Sequence, residues 1–220
     1  MKKIRKTGLV LIGLIIAIII NGQTIKIQGG TSISRLDWQL RNINTESFYK
    51  DPLIGYSFFA GLDYLDKHYF NLSSNIGMIR KGGKSETQLT FSEGEQTGIT
   101  FISKPTLDYL SVNTMIDLKY PIKQFSPFIS FGPRIDYLLS SSDHFDVIDG
   151  YDGLNTFSVG LLLGGGLKYD IYNFQFGIRA DYYVDFTKVA DWTIPSTGNG
   201  GEISVHTITI NLTIGYKLKK

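Results

Sequence analysis

The sequence predicts an all-β fold, an eight-stranded antiparallel up-and-down transmembrane β-barrel, on three observations. It opens with an export leader, it alternates apolar and polar residues in eight successive segments, and the connections between those segments alternate between long and short.

The leader is MKKIRKTGLVLIGLIIAIIINGQ, in which Lys2, Lys3, Arg5 and Lys6 precede an uncharged apolar run from Gly8 to Ile20. A run of about 13 residues is too short to cross a hydrocarbon core of roughly 30 Å as a helix, and small polar residues follow at once. The expected organisation is therefore a signal peptide over 1–22, cleaved after Gly22, and a barrel domain over 23–220.

The formal charge of the whole chain is +2, from 22 basic and 20 acidic residues. Removing 1–22 takes away four basic groups and leaves 18 against 20, or −2. A mature chain so close to neutral has no basic stripe, which excludes nucleic acid as an expected partner. With no cysteine there is no disulfide framework, thiolate metal site or lipid-modified thiol, and no cofactor is expected.

Strict alternation is the signature of a strand with one apolar and one polar face. Residues 24–34 supply the first strand. In the second, Ile54, Tyr56, Phe58, Ala60 and Leu62 alternate before a turn near Asp66; Phe70, Leu72, Ile76 and Met78 follow it. Residues 107–120 and 125–139 form a pair joined by a turn at Pro121. Leu110, Val112, Ile116 and Leu118 are matched there by Ile129, Phe131, Ile135 and Leu139, opposite Asp117, Lys119, Arg134 and Asp136. Over 156–171 the apolar face is Phe157, Val159, Leu161, Leu163, Leu167, Tyr169 and Ile171, and the other face holds Gly160, Gly164, Gly166, Lys168 and Asp170. Over 173–185, Phe174, Phe176, Ile178, Ala180, Tyr182 and Val184 oppose Gln175, Arg179, Asp181 and Asp185. The last strand, 204–217, sets Ile208, Ile210, Leu212, Ile214 and Tyr216 against Thr207, Thr209, Asn211 and Thr213.

Long connections are expected over 34–51, 80–106, 140–155 and 187–203, and tight ones near 65, 122 and 172. That pattern belongs to barrels with short periplasmic turns and long external loops. Alternation alone would also suit a soluble barrel with its apolar face inward. The polar faces decide: they hold Gly, Ser, Thr, Asn and Asp with a few cations, and every Glu lies in a long loop, which suits a narrow polar interior. Aromatic residues mark both edges of the apolar face, with Tyr64, Phe70, Tyr120, Phe125, Tyr169, Phe174 and Tyr216 at the short-turn end and Tyr137, Phe157 and Tyr182 at the other.

The stretch 108–141, the stretch 157–187 and the terminal TITINLTIGYKL carry a family resemblance, through Pro127-Phe128-x-x-x-Gly132-Pro133, Tyr137-Leu138-Leu139 and the closing Gly215-Tyr216-Lys217-Leu218. They resemble the small outer-membrane β-barrel domain, often labelled porin family, of the Bacteroidota type. The resemblance covers residues 100–220 and only weakly the first half; it departs at the end, where Lys219 and Lys220 stand in place of a terminal aromatic. It implies the barrel fold and the cell outer membrane, and no catalytic motif comes with it.

Inward-facing charge is the candidate functional feature. Lys119, Arg134, Lys168 and Arg179 share the lumen with Asp117, Asp136, Asp170, Asp181 and Asp185. Buried charges of opposite sign pair, and eight strands leave an interior just wide enough for side chains, so the expectation is a plug of ion pairs. Asp143, His144, Asp146, Asp149 and Asp152 offer oxygen ligands in one loop, but their spacing does not match a calcium-binding loop, and no metal is expected. The histidines at 68, 144 and 206 are scattered, His206 facing outward near Ser204, and Gly164 to Gly166 precede no helix, so neither a hydrolase site nor a phosphate loop is expected.

The expected function is a structural or interaction barrel, plugged by side chains and non-enzymatic, in contact with outer-membrane lipid. Trp38, Phe48, Tyr49 and Trp192 in the long loops are expected to be exposed anchors for an envelope protein partner. The alternatives are a narrow porin-like channel for ions or small solutes and a lipid-modifying outer-membrane enzyme.

Overall fold

The computed structural model describes residues 23–40, 49–90, 96–146, 153–193 and 200–218. The expected signal peptide, Phe48, Asp149 and Asp152 lie outside them. Eleven strands run through the described residues: β1 (Thr24–Leu40), β2 (Leu53–Asp66), β3 (Phe70–Gly82), β4 (Ser85–Thr90), β5 (Gln96–Ser103), β6 (Thr106–Lys119), β7 (Phe125–Ser141), β8 (Phe157–Ile171), β9 (Phe174–Asp185), β10 (Ala190–Thr193) and β11 (Gly200–Lys217).

Eight of these close a barrel in the order β1-β2-β3-β6-β7-β8-β9-β11, and β11 pairs back onto β1. That closing ladder is antiparallel and unbroken from Thr24↔Lys217 to Leu40↔Gly201. Closure removes the unpaired edge, which a bilayer core would not tolerate. At one end the hairpins are tight: Ile122 and Phe125 exchange backbone hydrogen bonds of 2.7 and 3.0 Å, and Lys67 N–H donates to the Phe70 carbonyl at 2.9 Å. β4 and β5 form a separate antiparallel hairpin at the far end of the β3–β6 pair, and β10 pairs with the start of β11. No helix among the described residues is long and apolar enough to cross a membrane.

The alternation resolves as expected through the middle of every barrel strand. Ile25, Ile27, Phe58, Ile76, Val112, Ile135, Leu161, Ile178, Ile210 and Leu212 are exposed, while Gln28, Asn75, Asn113, Ser130, Thr209 and Asn211 are buried. The apolar face therefore points away from the barrel axis. Aromatic neighbours cluster along its edges, with ring centroids 4.6 Å apart for Phe125 and Tyr169, 5.4 Å for Phe174 and Tyr216, and 5.0 Å for Tyr137 and Phe157.

At the long-loop end the two faces exchange character. On β1 the outward residues change from Ile25, Ile27 and Ile33 to Arg35, Asp37 and Gln39, and the inward ones from Lys26, Gln28 and Ser32 to Leu36, Trp38 and Leu40. β11 does the same, with Ile203 and Val205 inside and Glu202 and His206 outside, before Thr207 and Ile208 reverse the arrangement. Inside this extension Leu36, Ile79, Leu107, Tyr109, Phe145, Leu162, Val189, Trp192 and Ile203 form one buried cluster, with Trp38, Tyr49, Leu138 and Leu154 packed against it.

This corrects two expectations. β1, β3 and β11 run past their expected limits at 34, 80 and 204 because period-2 order continues with its polarity inverted: beyond the apolar belt, water is outside and a small hydrophobic core is inside. The same inversion draws the aromatic residues inward. Trp38 lies 5.6 Å from Phe145, 5.3 Å from Tyr49 and 6.2 Å from Trp192, and Trp192 is 8% exposed, so these rings are internal packing rather than exposed anchors.

Candidate functional site

Below the apolar cap the lumen is filled by two ionic layers. The upper layer, next to the cap, sets Lys81 of β3 and Arg134 of β7 against Asp136 of β7 and Asp185 of β9. Lys81 Nζ donates to Asp136 Oδ2 at 2.8 Å and lies 3.7 Å from Asp185 Oδ1; the Arg134 guanidinium bonds both carboxylates, one through each terminal nitrogen. Tyr109 and Tyr183 present ring faces to these cations, Lys81 at 5.0 and 5.1 Å and Arg134 at 4.7 Å from Tyr183.

The lower layer sets Lys26 of β1, Lys168 of β8 and Arg179 of β9 against Asp63 of β2, Asp117 of β6 and Asp181 of β9. Lys26 meets Asp63 at 2.5 Å, and Lys168 donates to Asp117 at 2.7 Å and reaches Asp63 at 3.9 Å. Arg179 makes a bidentate pair with Asp181, both bonds 2.7 Å, and a longer bond of 3.3 Å to the Ser130 hydroxyl. The Phe128 ring stands 5.0 Å from the Lys168 ammonium and 5.8 Å from the Arg179 guanidinium. Each layer balances in charge, two cations to two carboxylates above and three to three below.

Amides link elements within the polar lumen. Gln28 donates to Asn75 at 3.1 Å and Asn75 to Asn113 at 2.7 Å, a chain across β1, β3 and β6; Ser57 bonds Asn211 at 2.5 Å. What remains between Lys26, Gln28, Phe128, Lys168 and Arg179 is a cavity of about 10 Å³, room for about one water. Glycines on the inward face of β8 make this filling possible. A Cβ on Gly164 would stand 2.2 Å from Asp181 Oδ1, and one on Gly160 would stand 3.0 Å from the Arg134 guanidinium. The glycines at 160 and 164 are thus the space that the ion pairs occupy.

Of the sequence-predicted residues, Asp117, Arg134, Asp136, Lys168, Arg179, Asp181 and Asp185 come together in these layers. Lys119 and Asp170 do not. Lys119 pairs with Asp66, and Asp170 with Lys217 at 2.7 Å, at the short-turn rim where their side chains are between 13 and 34% exposed. Both sit at strand ends, where the bore meets water. Sequence reasoning missed Lys26, Asp63 and Lys81. Lys26 stands between Ile25 and Ile27, and Lys81 keeps the parity of inward Ser73 and Asn75, so alternation carried the signal for both.

The other candidates stay apart. His68 packs on Tyr69 at the short-turn end, with centroids 4.4 Å apart. His144 lies in a 3-10 turn, Asp143–Phe145, its Nε2 2.8 Å from the Ser103 hydroxyl and its Nδ1 3.3 Å from that of Ser142. His206 faces outward beside Arg35. Among the described residues no three His, Asp or Glu side chains are grouped to hold a metal ion.

Comparison with solved structures returns outer-membrane barrels. OprG from Pseudomonas aeruginosa aligns over 90% of this chain and 96% of its own, at 13% identity and a TM-score of 0.54. Ail of Yersinia pestis, solved in complex with the heparin analogue sucrose octasulfate, aligns over 90% and 100% at 15% identity and 0.45. The outer-membrane protease OmpT from Escherichia coli aligns over 90% and 97% at 10% identity and 0.42. At such identities the likeness concerns the fold alone. Comparison with curated protein sequences returns no match. Residues 21–191 match the family model described as outer membrane protein beta-barrel domain, and the chain belongs to that family as a β-barrel of the outer membrane.

Proposed function

We propose that the protein is a solute-closed, non-enzymatic barrel whose role is structural or interactive. The observation that carries this reading is the filling of the bore: two charge-balanced ionic layers under a hydrophobic cap, with side chains such as Arg134, Tyr109, Lys81 and Phe145 almost wholly buried. A conducting lumen needs continuous hydrated space, and an eight-stranded bore filled to this degree offers little. Burying charge is costly unless it is paired, and pairs that lock several strands together give the barrel one internal arrangement. The motifs at 127–133 and 215–218 support placing it with the Bacteroidota-type members of its family.

Contact with an envelope partner falls to the β4–β5 hairpin instead of the aromatic residues of the cap. Ile99, Phe101 and Ile102 on β5 are 56, 64 and 53% exposed beyond the apolar belt. The test is solute flux into proteoliposomes holding the folded protein. The proposal expects swelling in small sugars no faster than in protein-free liposomes; swelling that rises with the amount of protein and falls with solute size would establish the channel alternative.

A further inference from the structure

Where the outward face changes from apolar to polar, the wall of the barrel has a step. β2 begins at Leu53, opposite Ser34 of β1, and the ladder between β9 and β11 stops at Tyr183 opposite Thr207. Beyond those points β1 and β11 continue as a paired ribbon, β2 and β9 no longer flank it, and β10 takes up the free side of β11 only from Ile203 onward. Arg35 and His206 are the first outward cross-strand pair above the step, directly over Ile33 and Ile208. Grooves of about 220 and 320 Å³ open on either side of the pair and share both residues; Lys50 lines the first, and Tyr182 and Pro52 line the second.

We propose that this step binds the phosphate of a lipid headgroup from the outer leaflet, with its acyl chain along Ile33 and Ile208. Four observations carry the assignment. Arg35 is exposed, and among the described residues it makes no ion pair, in contrast to Arg80 at the same rim, which Asp108 holds through two 2.7 Å bonds. Among the described residues the only carboxylate lining the grooves is Asp37, which already accepts a 3.0 Å bond from Gln39, so the Arg35 guanidinium, with the His206 ring paired across from it, stays available to an anion. A guanidinium fork next to a second nitrogen donor matches the geometry of phosphate oxygens. Finally, the floor is apolar and continuous with the belt, and Tyr182, 42% exposed, sits at the height where amphipathic rings meet headgroups. A free anion would have no use for that floor, whereas a lipid has both halves of the required chemistry.

The test uses the full-length folded protein in detergent, with lipid binding read by native mass spectrometry. Dimyristoyl phosphatidic acid is the probe, dimyristoylglycerol lacks the phosphate, and inorganic phosphate lacks the chains. Phosphatidic acid should bind with one preferred site, at least ten-fold tighter than dimyristoylglycerol, and millimolar inorganic phosphate should not displace it. Arg35→Gln with His206→Gln should lower the affinity at least ten-fold, while Lys67→Gln at the opposite rim leaves it unchanged. Equal binding of dimyristoylglycerol, displacement by inorganic phosphate, or unchanged binding in the folded double variant would each overturn the assignment. The wild-type comparison among the three probes decides the matter even if the double variant does not fold.

Discussion

Arg179 offers the sharpest perturbation of the lower ionic layer. Its side chain is 5% exposed and that of its partner Asp181 is 7%, and the bidentate pair is the only ion pair described for either residue. The remaining cations of the layer are committed, Lys26 to Asp63 at 2.5 Å and Lys168 to Asp117 at 2.7 Å. Arg179→Met keeps most of the volume and removes the charge, which leaves the Asp181 carboxylate buried without a counter-ion. Breaking one side of such a pair costs about 3–5 kcal/mol. Adding Asp181→Asn restores two cations against two carboxylates, and the double variant should lie within about 1 kcal/mol of wild type, since replacing both partners removes the orphaned charge. The cycle should therefore show a coupling of about 2 kcal/mol or more. Urea titration of barrels refolded in lipid vesicles, scored by heat-modifiable gel migration, measures all four proteins. A single variant within about 1 kcal/mol of wild type, or a double variant whose loss equals the sum of the two singles, would refute the buried-pair reasoning.

Three further expectations follow from the geometry. Leu161→Arg and Ile178→Arg, on the lipid-facing belt, should each cost about 2–4 kcal/mol in the same unfolding assay, whereas Thr100→Arg on the external hairpin should be nearly neutral. Gly164→Ala forces a methyl group against Asp181 Oδ1 and the Ala180 carbonyl, 2.2 and 2.5 Å from the new carbon, and should destabilise by about 1–3 kcal/mol. Both tryptophans belong to the cap, so their emission should be blue-shifted, weakly quenched by aqueous acrylamide and unaffected by brominated lipid; strong acrylamide quenching would return them to the surface.

Legibility in the sequence followed the environment of each strand. In the belt, one face meets lipid and the other a polar bore, so alternation keeps one phase and Ile208 to Tyr216 can be read without a structure. At Arg35 and His206 both environments change together, and the phase of the apolar residues flips while the strand goes on. Leu36, Trp38 and Leu40 then look like a loop, although they continue the inward face. That inversion explains why the capping core was missed and why its aromatic residues were expected to be exposed. Within the lumen, parity alone identified Arg134, Asp136, Arg179 and Asp181, whereas the choice of partner depends on shear between strands. Lys168 meets Asp117 across the bore, a pairing that no single strand encodes. Asp63 lies where the β2–β3 register shifts, between Asp63 and Leu65, and so close to the turn that its inward direction was obscured.

The central claim is that paired side chains close the bore, and single-channel recording in planar bilayers tests it most directly. Folded wild-type protein should show no steady conductance, and Arg134→Ala, which removes the guanidinium joining Asp136 to Asp185, should introduce small open events. A steady wild-type conductance that is unchanged in Arg134→Ala would contradict the claim.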